Sequence, residues 1–253
     1  MRGERFQDVL EQHQAVGAEH GPGDEQGRQP RVTPHDRAGP IADVEEAGEP
    51  VTGGTALGWD SAHLFGHSMG GQLAQRTALR HPGRVRSITS SASLPGDVGR
   101  LQAARYVRLG TVARLARMRF PEGHDGDVAL AVAATRAIAS PAYPIDEREV
   151  RRMAERDQVS GVRDTAAQSR QAGAKWHGGR LSRLRAPILV LHGAADPLLR
   201  PSAARRTAAA ISGARLVILP GVGHYLPAAV YPQVADEVRA LADRAATAAP
   251  KSG

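Results

Sequence analysis

A short apolar run, Ala62-His63-Leu64-Phe65, stops at Gly66, and from Gly70 to Arg80 the spacing of Leu73, Ala74, Thr77 and Ala78 is helical. A strand must therefore give way to a helix within about two residues. Such a turn strains the backbone at Ser68 and calls for small residues at Gly66 and Gly70. The Ser68 hydroxyl is then expected above the end of a sheet, at a helix N-terminus whose positive partial charge favours a developing anion. The N–H of Met69, the next residue, is expected to point where a tetrahedral oxyanion would form. Gly66-His67-Ser68-Met69-Gly70-Gly71 thus matches G-x-S-x-G in the strand-turn-helix setting that gives the motif its meaning.

The rest of the chain has the same alternation. β-branched or apolar runs recur at 85–90, at 188–191 behind Pro187, and at 216–219. Helical patterns follow at 202–211 and 231–246, the last with Val234, Val238 and Leu241 on one face. Strands alternating with helices predict an α/β fold with a parallel sheet. Residues 57–94 and 183–247 are expected to form that core. Residues 95–182 hold Ala/Arg-rich helical pattern, no strand signal, and breaks at Pro121, Pro141 and Pro144, which reads as a helical cap insertion. Residues 11–56 are rich in Gly, Pro, Glu and Gln, with valines standing singly where a buried strand needs a run; residues 1–56 thus lack a strand signal. They are expected to be atypical, irregular or disordered.

Serine is a weak nucleophile until a base takes its proton. Two later loops offer the partners. Asp196 follows the strand at 188–191 in His192-Gly193-Ala194-Ala195-Asp196-Pro197, and His224 follows the strand at 216–219 in Gly221-Val222-Gly223-His224-Tyr225-Leu226-Pro227. Loops at the carboxyl ends of parallel strands share one face of the sheet, so Ser68, Asp196 and His224 can converge. Asp196 would fix the His224 tautomer, and His224 would take the Ser68 proton. Taken singly, Asp196 ahead of Pro197 also suits a helix N-cap, and His224 an exposed turn. Of the other histidines, His67 is expected in the pocket wall beside Ser68, His192 behind the acid loop and His81 at an exposed helix end. Met118, Phe120, Tyr143 and Trp176 are candidate pocket walls or core residues.

Composition bounds the alternatives. The net charge of +7 raises the question of nucleic acid, but the only lysines are Lys175 and Lys251, so nearly all 33 basic residues are arginines scattered along the chain. Arg105, Arg108, Arg114, Arg117 and Arg119 do cluster, without the interleaved aromatic residues of a single-strand binder or a recognition motif. No nucleic-acid partner is expected. The absence of cysteine excludes disulfides and thiolate metal sites. No zinc, calcium or dinucleotide pattern occurs, so neither metal nor cofactor is expected. No apolar stretch approaches the length of a membrane span and the first residues lack an export-type apolar region; the expected setting is cytoplasmic, with no membrane partner.

Residues 57–94, with HGAADPLLRP and LPGVGHYLP, resemble the nucleophile, acid and histidine regions of the α/β-hydrolase fold-1 family. The segment IASPAYPIDE at 138–147 and the Gln/Arg-rich stretch after it are similar to the cap of the aclacinomycin methylesterase-like branch. The resemblance spans about residues 57–247. It implies a serine hydrolase that cleaves a carboxylic ester on a small molecule through an acyl-enzyme, without cofactor. The family places further strands and a His-Gly loop, source of a second oxyanion N–H, ahead of the nucleophile. Residues 1–56 show no run of strand-forming residues, so the N-terminal strands are expected to be missing or degenerate, as in a segment translated out of frame. The alternative is a truncated, catalytically weak or inactive hydrolase-like protein.

Overall fold

A computed structural model describes residues 59–159 and 175–248. The expectations for residues 1–56, missing strands included, lie outside the described residues, as does part of the cap. Four strands, β1 (Ala62–His67), β2 (Val85–Ser91), β3 (Ile188–Gly193) and β4 (Arg215–Leu219), form one sheet in sequence order. Every pairing is parallel, with Gly66 opposite Ser90, Ser91 opposite Leu191, and Leu191 opposite Val217. Each crossover therefore carries helix: α1 (Met69–Arg80) between β1 and β2, α2 to α5 between β2 and β3, and α6 (Ser202–Ala210) between β3 and β4. A last helix, α7 (Tyr231–Ala248), follows β4.

The period-two alternation of strand side chains sorts the core into two layers. Ile188 and Val190 of β3 face one way and pack with Ile88, with Ala74 and Ala78 of α1, and with Ala204 of α6. Leu189 and Leu191 face the other way, against Leu219, Val222, and Val234 and Leu241 of α7. With both faces covered, all six residues of β3 are buried, which is why its first four, Ile188 to Leu191, read as an unbroken apolar run. Among the described residues β1 is the edge of the sheet, and Phe65 on it is 52% exposed.

Between β2 and β3 lie α2 (Arg100–Ala103), α3 (Leu109–Ala116), α4 (His124–Ile138) and α5 (Glu147–Val159). Their only extended contacts among the described residues are isolated bridges, Val107 with Leu199 and Ser140 with Tyr143. Helix α1 ends at His81, whose N–H still reaches the Thr77 carbonyl, ahead of Pro82. Among the described residues no helix is long and apolar enough to cross a membrane.

Candidate active site

At the end of β1 the chain turns through Ser68, whose φ of 54° and ψ of −120° place a non-glycine residue in a strained region. The strain is held by neighbours rather than by Ser68. Its N–H donates to the Ser91 carbonyl at the end of β2, 2.8 Å away, and α1 starts at once with Met69. The glycine requirement differs from the sequence expectation. A Cβ on Gly66 would lie 2.2 Å from the Gly70 carbonyl oxygen, so this position admits no side chain. One on Gly70 would meet nothing within 4 Å, whereas one on Gly71 would press on Ser93, Ser90 and the Gly66 carbonyl. The crowding comes from packing α1 onto β1 and β2, which involves the helix's inward face, where Gly71 sits. Gly70 points away from it.

The three expected residues come together. Ser68 Oγ lies 3.0 Å from His224 Nε2, and His224 Nδ1 lies 2.8 Å from Asp196 Oδ2. An ionised carboxylate only accepts, so Nδ1 carries the imidazole hydrogen and Nε2 accepts from the Ser68 hydroxyl. Asp196 is 1% and His224 3% exposed. Asp196 is not a helix N-cap, since the next helix begins at Ser202 behind Pro201, but it braces its own loop. Its Oδ1 accepts the N–H groups of Leu198 and Leu199 at 2.7 and 2.8 Å, which leaves Oδ2 for the histidine. One carboxylate oxygen thus holds the turn and the other holds the histidine. Met69 is the first residue of α1, so its amide is one of those without an acceptor inside the helix.

The supporting shell was not legible in the sequence. Gly193 and Gly223 are points of close backbone approach: a Cβ on Gly193 would lie 2.3 Å from the Val222 and Gly223 carbonyls, and one on Gly223 would strike Ser140 and Ala139. The acid and histidine loops therefore run against each other and against the end of α4. There the His224 N–H donates to the Ile138 carbonyl at 2.8 Å. Arg108 Nε donates to the Asp196 carbonyl, and Arg114 and Arg119 donate to backbone carbonyls of the helical insertion, so three of the clustered arginines are engaged within the fold. Gln75, fully buried in α1, ties the helix to the loop after β2 by donating to Ser90 Oγ at 2.8 Å and accepting from the Gly96 N–H at 2.7 Å. A lone Gln in a helix gives no signal of this. The Gly-x-Gly spacing around Val222 was the available hint for the loops.

Two further histidines surround the site. His67, at the end of β1, places its ring 5.1 Å from that of His224, with Nδ1 3.2 Å from Ser91 Oγ. Burial, reinforced by the nearby His224, pushes its pKa down to about 4, so the ring is neutral at pH 7. His192 lies behind the acid loop as expected, with Nε2 3.3 Å from the Leu199 carbonyl and 3.5 Å from Asp196 Oδ2. Burial holds its pKa below the ordinary value against the pull of Asp196. Both neighbours of Nε2 accept, so Nε2 carries the hydrogen, and Nδ1 is left buried without a partner. His81 caps α1 and is half-buried.

Two cavities meet at Ser68. One, of about 570 Å³, is bounded by Met69, Gln72, Arg76, Arg100, Lys175 and Trp176. The other, of about 610 Å³, is bounded by His67 and His224 and by apolar residues of the helical insertion and the histidine loop, among them Leu115, Ile138, Met153 and Leu226. Of the four candidate wall residues, Trp176 lines the first cavity, while Tyr143 packs against the core. Met118 and Phe120 line neither. Among the described residues no group of metal-ligating side chains occurs.

The chain belongs to the α/β-hydrolase fold family, whose model matches residues 41–227. Solved structures with the same fold include a hydrolase from Pseudomonas aeruginosa PA01, at TM-score 0.53 and 23% identity over 75% of this chain and 68% of that one. A candidate non-heme bromoperoxidase from Mycobacterium tuberculosis gives 0.52 and 21% over 74% and 68%. An enol-lactonase from Burkholderia xenovorans LB400 gives 0.50 and 21% over 75% and 67%. At these identities the likeness is one of fold.

Proposed function

We propose that the chain is a serine hydrolase that cleaves a carboxylic ester through an acyl-enzyme. The observation that carries this reading is the hydrogen-bonded series Ser68–His224–Asp196, assembled from three separate loops at the carboxyl end of one sheet. Ser68 Oγ attacks the ester carbonyl as His224 Nε2 takes its proton. The negative charge moves to the carbonyl oxygen, which the Met69 N–H at the start of α1 would meet. Collapse breaks the bond to the alcohol oxygen, and His224 returns the proton there, leaving the acyl group on Ser68. Water then attacks the acyl-enzyme, giving its proton to His224. The bond from the acyl carbon to Ser68 Oγ then breaks, His224 passes its proton to Oγ, and release of the acid leaves the Ser68 hydroxyl restored. Asp196 stays ionised and stabilises the imidazolium at each stage. No cofactor enters this sequence of steps.

In this reading the helices between β2 and β3 form a cap over the nucleophile, of the kind found in the aclacinomycin methylesterase-like branch, and the substrate is a small-molecule ester. A fluorophosphonate probe should label Ser68, as located by peptide mass analysis, and the protein should turn over activated esters. Ser68→Ala should abolish both, because among the described residues no other nucleophile is hydrogen-bonded to His224. Retention of more than about a tenth of the rate would place the nucleophile elsewhere.

A further inference from the structure

We infer that the ester carries a carboxylate on its acid half and an apolar alcohol, that is, a half-ester of a dicarboxylic acid. The inference rests on the ester-hydrolase reading above and comes from the unlike character of the two cavities that share Ser68. The cavity bounded by Met69 is also bounded by Arg76, Arg100 and Lys175, with Gln72 and Gln102, and among the described residues none that lines it is acidic. Arg76 is held in place: its Nε donates to the Gly96 carbonyl at 2.9 Å and its guanidinium lies 5.1 Å from the Trp176 ring centre. Arg100 and Lys175 are exposed and, among the described residues, have no acidic partner. Three cations around one cavity, with no acidic partner among the described residues, set up a potential that favours an anionic group inside it. The cavity bounded by His224 is the opposite case. Its walls are Phe65, Leu115, Ala131, Ile138, Met153 and Leu226 with similar neighbours, and among the described residues no Lys, Arg, Asp or Glu lines it.

Chemistry decides which half of the ester enters which cavity. The departing alcohol oxygen must receive the proton that His224 Nε2 holds, so the alcohol lies on the side of His224, in the apolar cavity. The carbonyl oxygen meets the Met69 N–H, and the acyl chain continues past Met69 into the basic cavity. An anion on the alcohol half would sit among apolar walls, where an unpaired charge is costly.

The test compares kcat/KM for chromogenic esters that differ in charge alone. The 4-nitrophenyl monoesters of adipate and suberate are set against their ω-methyl esters. A second pair puts the charge on the other half: 4-carboxyphenyl hexanoate against its methyl ester. The expected result is a preference of about tenfold for a free carboxylate on the acyl chain and a penalty for one on the alcohol. Partly exposed ion pairs contribute up to about fivefold each, so Arg100→Gln and Lys175→Gln should each lower the acyl-side preference by up to that factor. Arg244→Gln, a charge change on α7 outside both cavities, should leave the preference unaltered. Raising the salt concentration should shrink the preference, because exposed charges are screened. Turnover without any charge preference would overturn this inference and leave the hydrolase reading standing. Preference for the carboxylate on the alcohol would reverse the assignment of the cavities and overturn it too. If no ester is cleaved, the hydrolase reading itself fails, and calorimetric binding of adipate to the Ser68→Ala protein then tests the basic cavity alone. Binding weakened by Arg100→Gln upholds the anion site, and no binding removes it.

Discussion

Replacing Asp196 separates two jobs that one side chain performs. In Asp196→Asn the amide oxygen can still accept the Leu198 and Leu199 N–H groups now held by Oδ1. The amide NH2 then takes the place of Oδ2, 2.8 Å from His224 Nδ1. A donor there forces Nδ1 to accept, so the imidazole hydrogen moves to Nε2. Nε2 then donates to Ser68 instead of taking its proton. The same NH2 faces His192 Nε2, another donor, 3.5 Å away. The expected loss in kcat is about 10⁴, the scale seen when a triad carboxylate becomes an amide, or about 5.5 kcal/mol at 1.36 kcal/mol per tenfold.

Stability should respond differently. Asp196→Asn keeps both backbone acceptor bonds and should cost about 1 kcal/mol or less. Asp196→Ala abandons them, leaving the N–H of buried Leu199 and half-buried Leu198 unpaired. At about 1–3 kcal/mol for a fully buried unpaired donor, and less for the half-buried one, the expected loss is about 2–4 kcal/mol. The assays are initial rates on 4-nitrophenyl hexanoate and urea unfolding of the same preparations. Two results refute the reasoning: Asp196→Asn working within tenfold of the parent protein, which would make Asp196 a turn residue only, or Asp196→Ala unfolding at the same urea concentration as Asp196→Asn.

Gly66→Ala should prevent formation of the Ser68 turn and eliminate activity with a clear drop in Tm, while Gly70→Ala, pointing into open space, should keep both close to parental values. His67 gives a pH signature. Its pKa is near 4 when folded against about 6.5 unfolded, so the unfolded chain binds more protons between those values and stability rises with pH across that window. Acidification from pH 6.5 to 4 should cost roughly 2–3 kcal/mol, and His67→Phe should flatten that part of a stability-versus-pH curve. His192→Phe keeps the bulk but leaves the buried Leu199 carbonyl without its donor. Urea unfolding should show a loss of about 1–3 kcal/mol, and no loss would mean that the long 3.3 Å contact contributes nothing.

What could be read in the sequence follows from how local each signal is. Strands β1 to β4 and helices α1, α6 and α7 were expected within a residue or two of where they lie, because each is bounded by a Gly or Pro and its apolar residues repeat at one period. Ser68, Asp196 and His224 stand at fixed offsets from strand ends, and the parallel sheet turns those offsets into proximity. The spatial neighbours had no such marker. Ser90 and Ser93 meet Gln75 only because β2 lies beside α1, and Ile138 meets His224 because α4 ends beneath the histidine loop. The Gly70 expectation failed for a related reason. A motif says that space is needed at the turn but not which glycine faces the packed side.

The same neighbours explain how a strained serine can be kept ready. Holding Ser68 at φ 54° costs of order 1–3 kcal/mol, and nothing in the Gly66–Gly71 segment alone would sustain that. Here the turn is fixed at several points that do not depend on one another. The Ser68 N–H is bound to β2, Gly71 is pressed against Ser93, and Gln75 clamps α1 to the loop beyond β2. On the other side, the Ala194 and Ala195 N–H groups bond to the Leu219 and Val222 carbonyls, locking the acid loop to the histidine loop. Relaxing Ser68 would therefore mean breaking contacts between β1, β2 and α1 that the core already requires. The geometry of the three residues is a consequence of sheet packing. Preorganisation of this kind is what lets hydrogen-bond donors act on a transition state without reorganising at the moment of reaction.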